Sequence, residues 1–384
     1  MVVLAGAALA ATIGGNNLGH MMVQAGTAFA ATIDGDNLDN TLVGTAGVDT
    51  LTVTNTNNTG SGSLRSAIET ADASGVADTI TFAADLGPII KLTSGPLSIN
   101  SDLKIKGPGA EELSVSGTGN SGVFSVASGA TAKIIGLRIT GGNADSGGGI
   151  NNKGTLTLVR STVSGNLAGG SGGGIFNGGT LRVGRSTISG NTADEGGGGG
   201  VFNRGSSADE GNAAFTNSTI SGNEAEGSGG GISNAGDVSI SNSTVTKNSA
   251  EGSGDGVASL GTGSVGVYSS ILAGNQTTDV DNVSKGSFSS LGYNIIGDGK
   301  SAPNFNSTGD RTGVTNPGLG PLADNGGPTQ THAVLSGSPA LDKGNSGLVR
   351  DQRGEPRPVD LPDVGNARGG DGSDVGAFEL QDGA

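Results

Sequence analysis

The chain has 384 residues, of which 35 are acidic and 20 basic, for a net charge of −15. No basic excess exists to neutralise phosphates, so a nucleic-acid partner is not expected, whereas solubility and divalent cations are favoured. Hydrophobic residues are 33% and aromatics 3%, too few for a wide globular core, and 76 glycines without a strict every-third spacing exclude collagen.

Cysteine is absent, so stability must come from something other than disulfides. No run of 18 apolar residues is present, and no membrane insertion is expected. Ala28-Phe29-Ala30 before Ala31 has the form of a small-residue cleavage site, but no basic residue precedes the apolar Met1–Ala10 segment. Residues 1–51 read as a signal or as a degenerate calcium nonapeptide segment of the RTX type. Gly44, Gly47, Asp49 and Leu51 match that pattern over about one and a half repeats, and a calcium roll needs several stacked turns.

Residues 52–298 read as one repeating body. Near its start, Leu64, Ala67, Ile68 and Ala71 fall on one face of a helix spanning 63–72, with Ser63 placed as N-cap. A lone amphipathic helix before a β-rich array is expected to cap the open end of the first coil. Short apolar segments follow, among them Thr79–Phe82, Ile89–Leu92, Leu97–Ile99, Leu103–Ile105, Leu113–Val115 and Val123–Val126, divided by turn residues.

From Gly141 to Asn275 one sentence is repeated five times. It opens on Gly147-Gly148-Gly149-Ile150, Gly172-Gly173-Gly174-Ile175, Gly198-Gly199-Gly200-Val201, Gly229-Gly230-Gly231-Ile232 and Gly254-Asp255-Gly256-Val257. It closes on Asn166, Asn191, Asn223, Asn248 and Asn275, at steps of 25, 32, 25 and 27 residues, the long step carrying an extra loop around 205–210. Three short strands in about 25 residues predict a parallel β-helix with coils ~4.8 Å apart. Alternation puts Leu156 and Leu158, Leu181 and Val183, Ile150 and its equivalents, and Val163, Ile188, Ile220, Val245 and Ile271 inside. The asparagine column is expected to pass amide hydrogen bonds from coil to coil, a structural role.

Two surfaces remain for chemistry. Thr162 and Ser164, Thr187 and Ser189, Thr219 and Ser221, and Thr244 and Thr246 form two outward hydroxyl columns, a candidate ligand face. Such flat arrays resemble those of ice-binding proteins, although Thr and Ser also simply suit an exposed sheet. The acids Asp145, Asp194, Glu195, Glu224, Glu226, Glu251 and Asp255 lie in loops along one edge, a candidate calcium rim, with Asp49 a further candidate ligand. The alternative for the rim is a solvated edge, with Arg160, Arg182 and Arg185 offsetting its charge. His332, with no second histidine or cysteine near it in sequence, is expected to be structural.

The C-terminal region, 299–384, carries Gly337-Ser338-Pro339-Ala340-Leu341-Asp342, Asp351-Gln352-Arg353-Gly354 and Asp374-Val375-Gly376-Ala377-Phe378-Glu379. These words resemble the choice-of-anchor Q domain. Together with Gly62-Ser63-Leu64-Arg65-Ser66-Ala67-Ile68-Glu69 and the glycine-triplet coils, residues 52–379 resemble bacterial surface β-helix proteins, akin to polymorphic outer membrane and CSLREA-type proteins. The resemblance implies an all-β, right-handed parallel β-helix, secreted or on the cell surface, with no assigned catalytic residues. Members often carry a downstream anchor; the chain ends at Ala384, and the expectation is a released protein or one trimmed before its anchor.

The leading expectation is therefore a non-enzymatic extracellular protein for adhesion, glycan contact, matrix formation or self-assembly. Its partners would be polysaccharide, cell-surface components or further copies of itself. The alternatives are a polysaccharide lyase or hydrolase, which would need clustered carboxylates or a carboxylate pair, and an ice-binding protein.

Overall fold

The computed structural model describes residues 48–205 and 211–382, together with the backbone of the strand Thr32–Ile33. The signal-like stretch, most of the nonapeptide-like echo and the tip of the extra loop lie outside the described residues. The architecture is the expected right-handed parallel β-helix of about ten turns.

Each regular coil runs through three faces. An eleven-stranded sheet includes Thr155–Val159 and Thr180–Gly184, a nine-stranded sheet Thr162–Ser164 and Thr187–Ser189, and an eight-stranded sheet Ile150–Asn152 and Ile175–Asn177. A fourth, five-stranded sheet of two-residue strands turns the chain between the second and third faces. Among the described residues the strand pairings of the coils are all parallel and coil-to-coil, and the antiparallel ones lie in the C-terminal region: the hairpin Leu319–Ala323 with Thr331–Val334 and a single bridge between Arg350 and Pro356.

Period-2 alternation sends one residue set into a narrow core running from Leu51 to Phe305. Leu156, Leu158, Leu181, Ile150, Ile175 and Ile232 are fully buried there. One inward assignment is corrected. Val245 pairs with Leu272, not Ile271; Ile271 pairs with Thr244 and points outward. The doubled Ser269-Ser270 hides the alignment: Ser270, not Ser269, is the equivalent of Ser243, which puts Leu272 in the place of Val245.

The glycine triplets are dictated by close approach. Gly172 takes φ +73°, and a Cβ on Gly173 would stand 2.2 Å from the carbonyl oxygen of Thr192 in the next coil. No other residue fits there.

Polar ladders replace disulfides. Asn166 Nδ2 donates to Asn191 Oδ1 at 2.8 Å, and Asn191 to Asn223, Asn223 to Asn248 and Asn248 to Asn275 each at 2.9 Å. Asp279 ends the ladder, accepting from Asn275 Nδ2 at 2.7 Å, and burial holds its carboxyl above the usual range. Two further columns run beside it. Asn152, Asn177, Asn203 and Asn234 chain their amides at 2.6–2.8 Å, and Ser161, Ser186, Ser218, Ser243 and Ser270 accept from the preceding coil's backbone. All three columns are buried but for the half-buried Asn275, and their bonds spare the amides and hydroxyls the penalty of unpaired polar groups.

The first coil is closed by the helix Leu64–Ser74. Ser63 caps it, accepting from Ser66 N at 3.2 Å, and Gly75 ends it at φ +71°. Leu64, Ile68 and Ala71 are buried against the opening strands, as a cap requires.

The C-terminal region does more than follow the last coil. It lies along the outer side of the nine-stranded sheet. Ile271, Ala273 and Ile295 of the helix form a second apolar cluster with Val334, Ala340, Leu341, Val375 and Phe378. The tail's sequence words tie this cover together. Arg357 pairs with Glu379 at 2.8 Å, both fully buried, and donates to the carbonyls of Asp374, Gly376 and Phe378. Arg353 pairs with Asp351 at 2.8 Å and lies 3.7 Å above the Phe378 ring.

Candidate functional site

The hydroxyl columns form in register, Thr162 beside Thr187, Thr219 and Thr244, with Ser164, Ser189, Ser221 and Thr246 alongside. They are not an open face. Thr187 Oγ1 donates to the Gln330 carbonyl at 2.6 Å and accepts from Gln352 Nε2 at 3.0 Å. Thr219 Oγ1 donates to Gln352 Oε1 at 2.7 Å, and Thr244 Oγ1 accepts from Ala377 N at 3.1 Å. Thr162, Thr187, Thr219, Ser221, Thr244 and Thr246 are buried, and Ser164 and Ser189 are half-buried. The expected ligand or ice-binding face is thus corrected: most of it is the seat of the chain's own C-terminal region.

His332 belongs to this seat. Its Nδ1 lies 2.7 Å from the Gly320 carbonyl, which can only accept, so Nδ1 carries the proton and Nε2 accepts from Ser221 Oγ at 2.8 Å. Burial, with a smaller push from Lys247, holds the imidazole below its ordinary range and therefore neutral. Asp342 sits in the same cover. Burial first, then Asp374 and Asp360, push its carboxyl up to about 6, and its Oδ1 has no hydrogen-bond partner.

The acidic rim also differs from expectation. Asp194, Glu226 and Glu251 occupy equivalent places in successive coils, each donating its backbone N–H to the coil before, and all are exposed. Glu195 and Glu224 are exposed too, and Glu224 pairs with Thr192 and Ser249 rather than with another acid. Asp255 is buried and already saturated. It stands where earlier coils have the middle glycine, and its carboxylate accepts from Ala250 N, Thr277 N and Oγ1, and Thr278 N. These bonds outweigh its burial and hold its carboxyl below the usual range. Asp49 is buried, its backbone N–H donating to Asp78 Oδ1 at 2.8 Å. Among the described residues, no three acids or histidines are grouped to hold a metal ion. The arginines do not offset this rim: Arg160 and Arg185 lie at the corner between the eleven- and nine-stranded sheets, and Arg182 on the outer face of the former.

That eleven-stranded sheet is the polar face left open. Lys104 pairs in register with Lys133, Lys133 with Thr157, and Thr157 with Arg182. Lys104, Lys106, Lys133 and Arg182 are exposed, and within the described residues none makes an ion pair. Beyond Arg182 the face turns neutral to acidic, through Asn212, Ala214, Asp237 and Ser239, around a shallow groove of about 230 Å³. The stripe leaves no periodic signature in the sequence, because its lysines lie in the irregular early coils, outside the repeat.

Comparison with known proteins adds fold, not family. The crystal structure of the pectate lyase Pel9A is similar, with a TM-score of 0.51 and 13% identity over 87% of this chain and 97% of that one. No protein-family model matches the chain, so the likeness of its tail to the choice-of-anchor Q domain gains no support from that side. No curated protein sequence matches it either. No helix among the described residues is long and apolar enough to cross a membrane.

Proposed function

We propose that the chain is an extracellular β-helix protein that holds an acidic polysaccharide on the open face of its eleven-stranded sheet. The observation that carries this reading is the unpaired stripe of Lys104, Lys133 and Arg182 on a molecule of net charge −15. Adjacent strands place successive cations ~4.8 Å apart, and Arg182 ~10 Å beyond Lys133. A repeating polyanion can meet such a row with several carboxylates at once, so weak single contacts gain from multivalency. Cell-surface glycans and matrix polysaccharides both offer this chemistry. Attachment, rather than turnover, is the function.

A second reading, cleavage of the same polymer, draws on the likeness of fold to a pectate lyase. One experiment separates the two. Polygalacturonate, a neutral galactan and buffer are each titrated into the protein by calorimetry, and the mixtures are then followed for unsaturated uronate absorbance. Selective binding of the acidic polymer without new absorbance supports attachment; growing absorbance supports the lyase. Equal or no binding to both polymers removes the proposal.

A further inference from the structure

A second cationic site lies at the corner where the C-terminal region meets the helix. Arg160, Arg185, Arg350 and Arg353 line a cleft of about 340 Å³ with Pro328 and Gly354, and no acid is in the lining. Arg160 donates its backbone N–H to Gly184, so it sits one coil from Arg185. The cover brings the other two: Thr329 Oγ1 donates to the Arg185 carbonyl, and Asn217, next in the corner column, donates to the Arg350 carbonyl at 2.8 Å.

Arg353 is engaged by Asp351 and by two carbonyls. Arg350 gives one N–H to Gly354, and the side chains of Arg160 and Arg185 make no hydrogen bond or ion pair within the described residues. Burial, then the neighbouring Arg160 and Arg350, hold the Arg185 guanidinium below its ordinary range, so docking the cover brings like charges together.

The backbone adds an independent sign. From Gly136 onward this corner takes a left-handed residue in each coil; Gly136, Asn217 and Asn242 tolerate it, while Ser269 and Tyr293 hold it at φ +45° and +59° with side chains bonded to the C-terminal region. Arg160 and Arg185 hold φ +50° there as well, a strained choice made twice, side by side. Strain of this kind persists where the side chain is needed.

We infer that the cleft is an oxyanion site for a sulfate or phosphate group, either the free dianion or an ester that keeps three terminal oxygens, bound by Arg160, Arg185 and Arg350. Three guanidiniums offer more forked donors than the two oxygens of one carboxylate can take, and a dianion offsets more of their repulsion. Because Arg350 arrives with the cover, the anion also ties the C-terminal region to the helix. The site lies off the open sheet face and does not depend on the glycan reading.

The test compares the whole protein with Arg160→Asn/Arg185→Asn, which installs the residue that Asn217 and Asn242 already supply at the same φ. Sulfate and phosphate are titrated by calorimetry against chloride at constant ionic strength, and a sulfated polysaccharide forms the esterified arm. Saturable one-site binding in at least one arm, weakened at least tenfold in the double variant and also in Arg350→Gln, is the expected result. Melting temperature supplies a control, because sulfate stabilises most proteins non-specifically. The part of the shift that saturates should vanish in the variants. Absence of saturable binding in all arms, or binding of equal strength in wild type and variants, overturns the inference.

Discussion

Asn223→Ala tests what holds the coils together. Asn223 is buried, and its amide makes four bonds. Nδ2 donates to Asn248 Oδ1 at 2.9 Å and to the Ile188 carbonyl at 3.0 Å; Oδ1 accepts from Asn191 N at 3.1 Å and from Asn191 Nδ2 at 2.9 Å. Truncation leaves Asn191 Nδ2 with its bond to the Val163 carbonyl, and Asn248 Oδ1 with the bond from Asn223 N. The backbone N–H of Asn191 is left with no partner. A lost bond is worth about 1 kcal/mol and an orphaned buried donor about 1–3 kcal/mol, so destabilisation of about 3–5 kcal/mol follows. Asn223→Asp keeps the shape but sets an anion against Asn248 Oδ1 and the Ile188 carbonyl, so it should be at least as damaging at neutral pH and partly relieved as pH falls. Urea unfolding followed by far-ultraviolet circular dichroism and by tyrosine fluorescence measures both, and two probes show whether the stack unfolds as a unit. A loss below about 1 kcal/mol for Asn223→Ala would refute the claim that the ladder is a main support.

The cover gives further expectations. Asp342 binds its proton more tightly folded than unfolded, so its contribution is full below about pH 4 and is lost as pH rises through about 6. Asp342→Asn, at a residue with φ +53° that asparagine tolerates, should raise the melting temperature at pH 7.5 and flatten the profile between pH 4 and 6. His332 has the opposite sign. Its folded state favours the neutral ring, so its contribution is present above about pH 6.5 and declines as pH falls below that, and His332→Gln should weaken this acid sensitivity in melting curves. Gln352→Ala removes bonds to Thr187, Thr219 and Thr329 at once and should loosen the cover, read as faster proteolysis within 317–380. Chelator should leave the melting temperature unchanged, because the rim acids stand in single file and Asp255 is spent on the chain's own donors. Thermal hysteresis should be absent, since the hydroxyl columns are covered.

Much of the coil was legible because stacking repeats the same local problem. The positions of Leu156, Ile175 and Val245 follow from alternation, and the Asn166–Asn275 column from its invariant place after a left-handed turn. The Asn152–Asn234 and Ser161–Ser270 columns are equally periodic, but they stand beside the more conspicuous glycines and Thr-x-Ser words. What alternation cannot say is what lies outside the sheet. A threonine facing water and one facing another segment have the same spacing, so Thr187 and Thr219 looked like a ligand face. One residue did carry the signal. Counted back from Asn275, Ile271 aligns with Thr244, and an outward isoleucine in a hydroxyl column calls for an apolar cover. The arginine cleft was illegible for a related reason: Arg350 is 165 residues from Arg185 in sequence and joins it only when the tail folds back.

Attachment to acidic polysaccharide is most directly tested by removing the stripe without touching the fold. Lys104→Thr/Lys133→Thr/Arg182→Thr copies the neighbouring Thr157, and threonine suits an exposed strand. Affinity for polygalacturonate, measured at several salt concentrations, should fall at least tenfold, about 1.4 kcal/mol or more, with a shallower salt dependence and an unchanged melting temperature. Unchanged affinity in a folded triple variant would contradict the account.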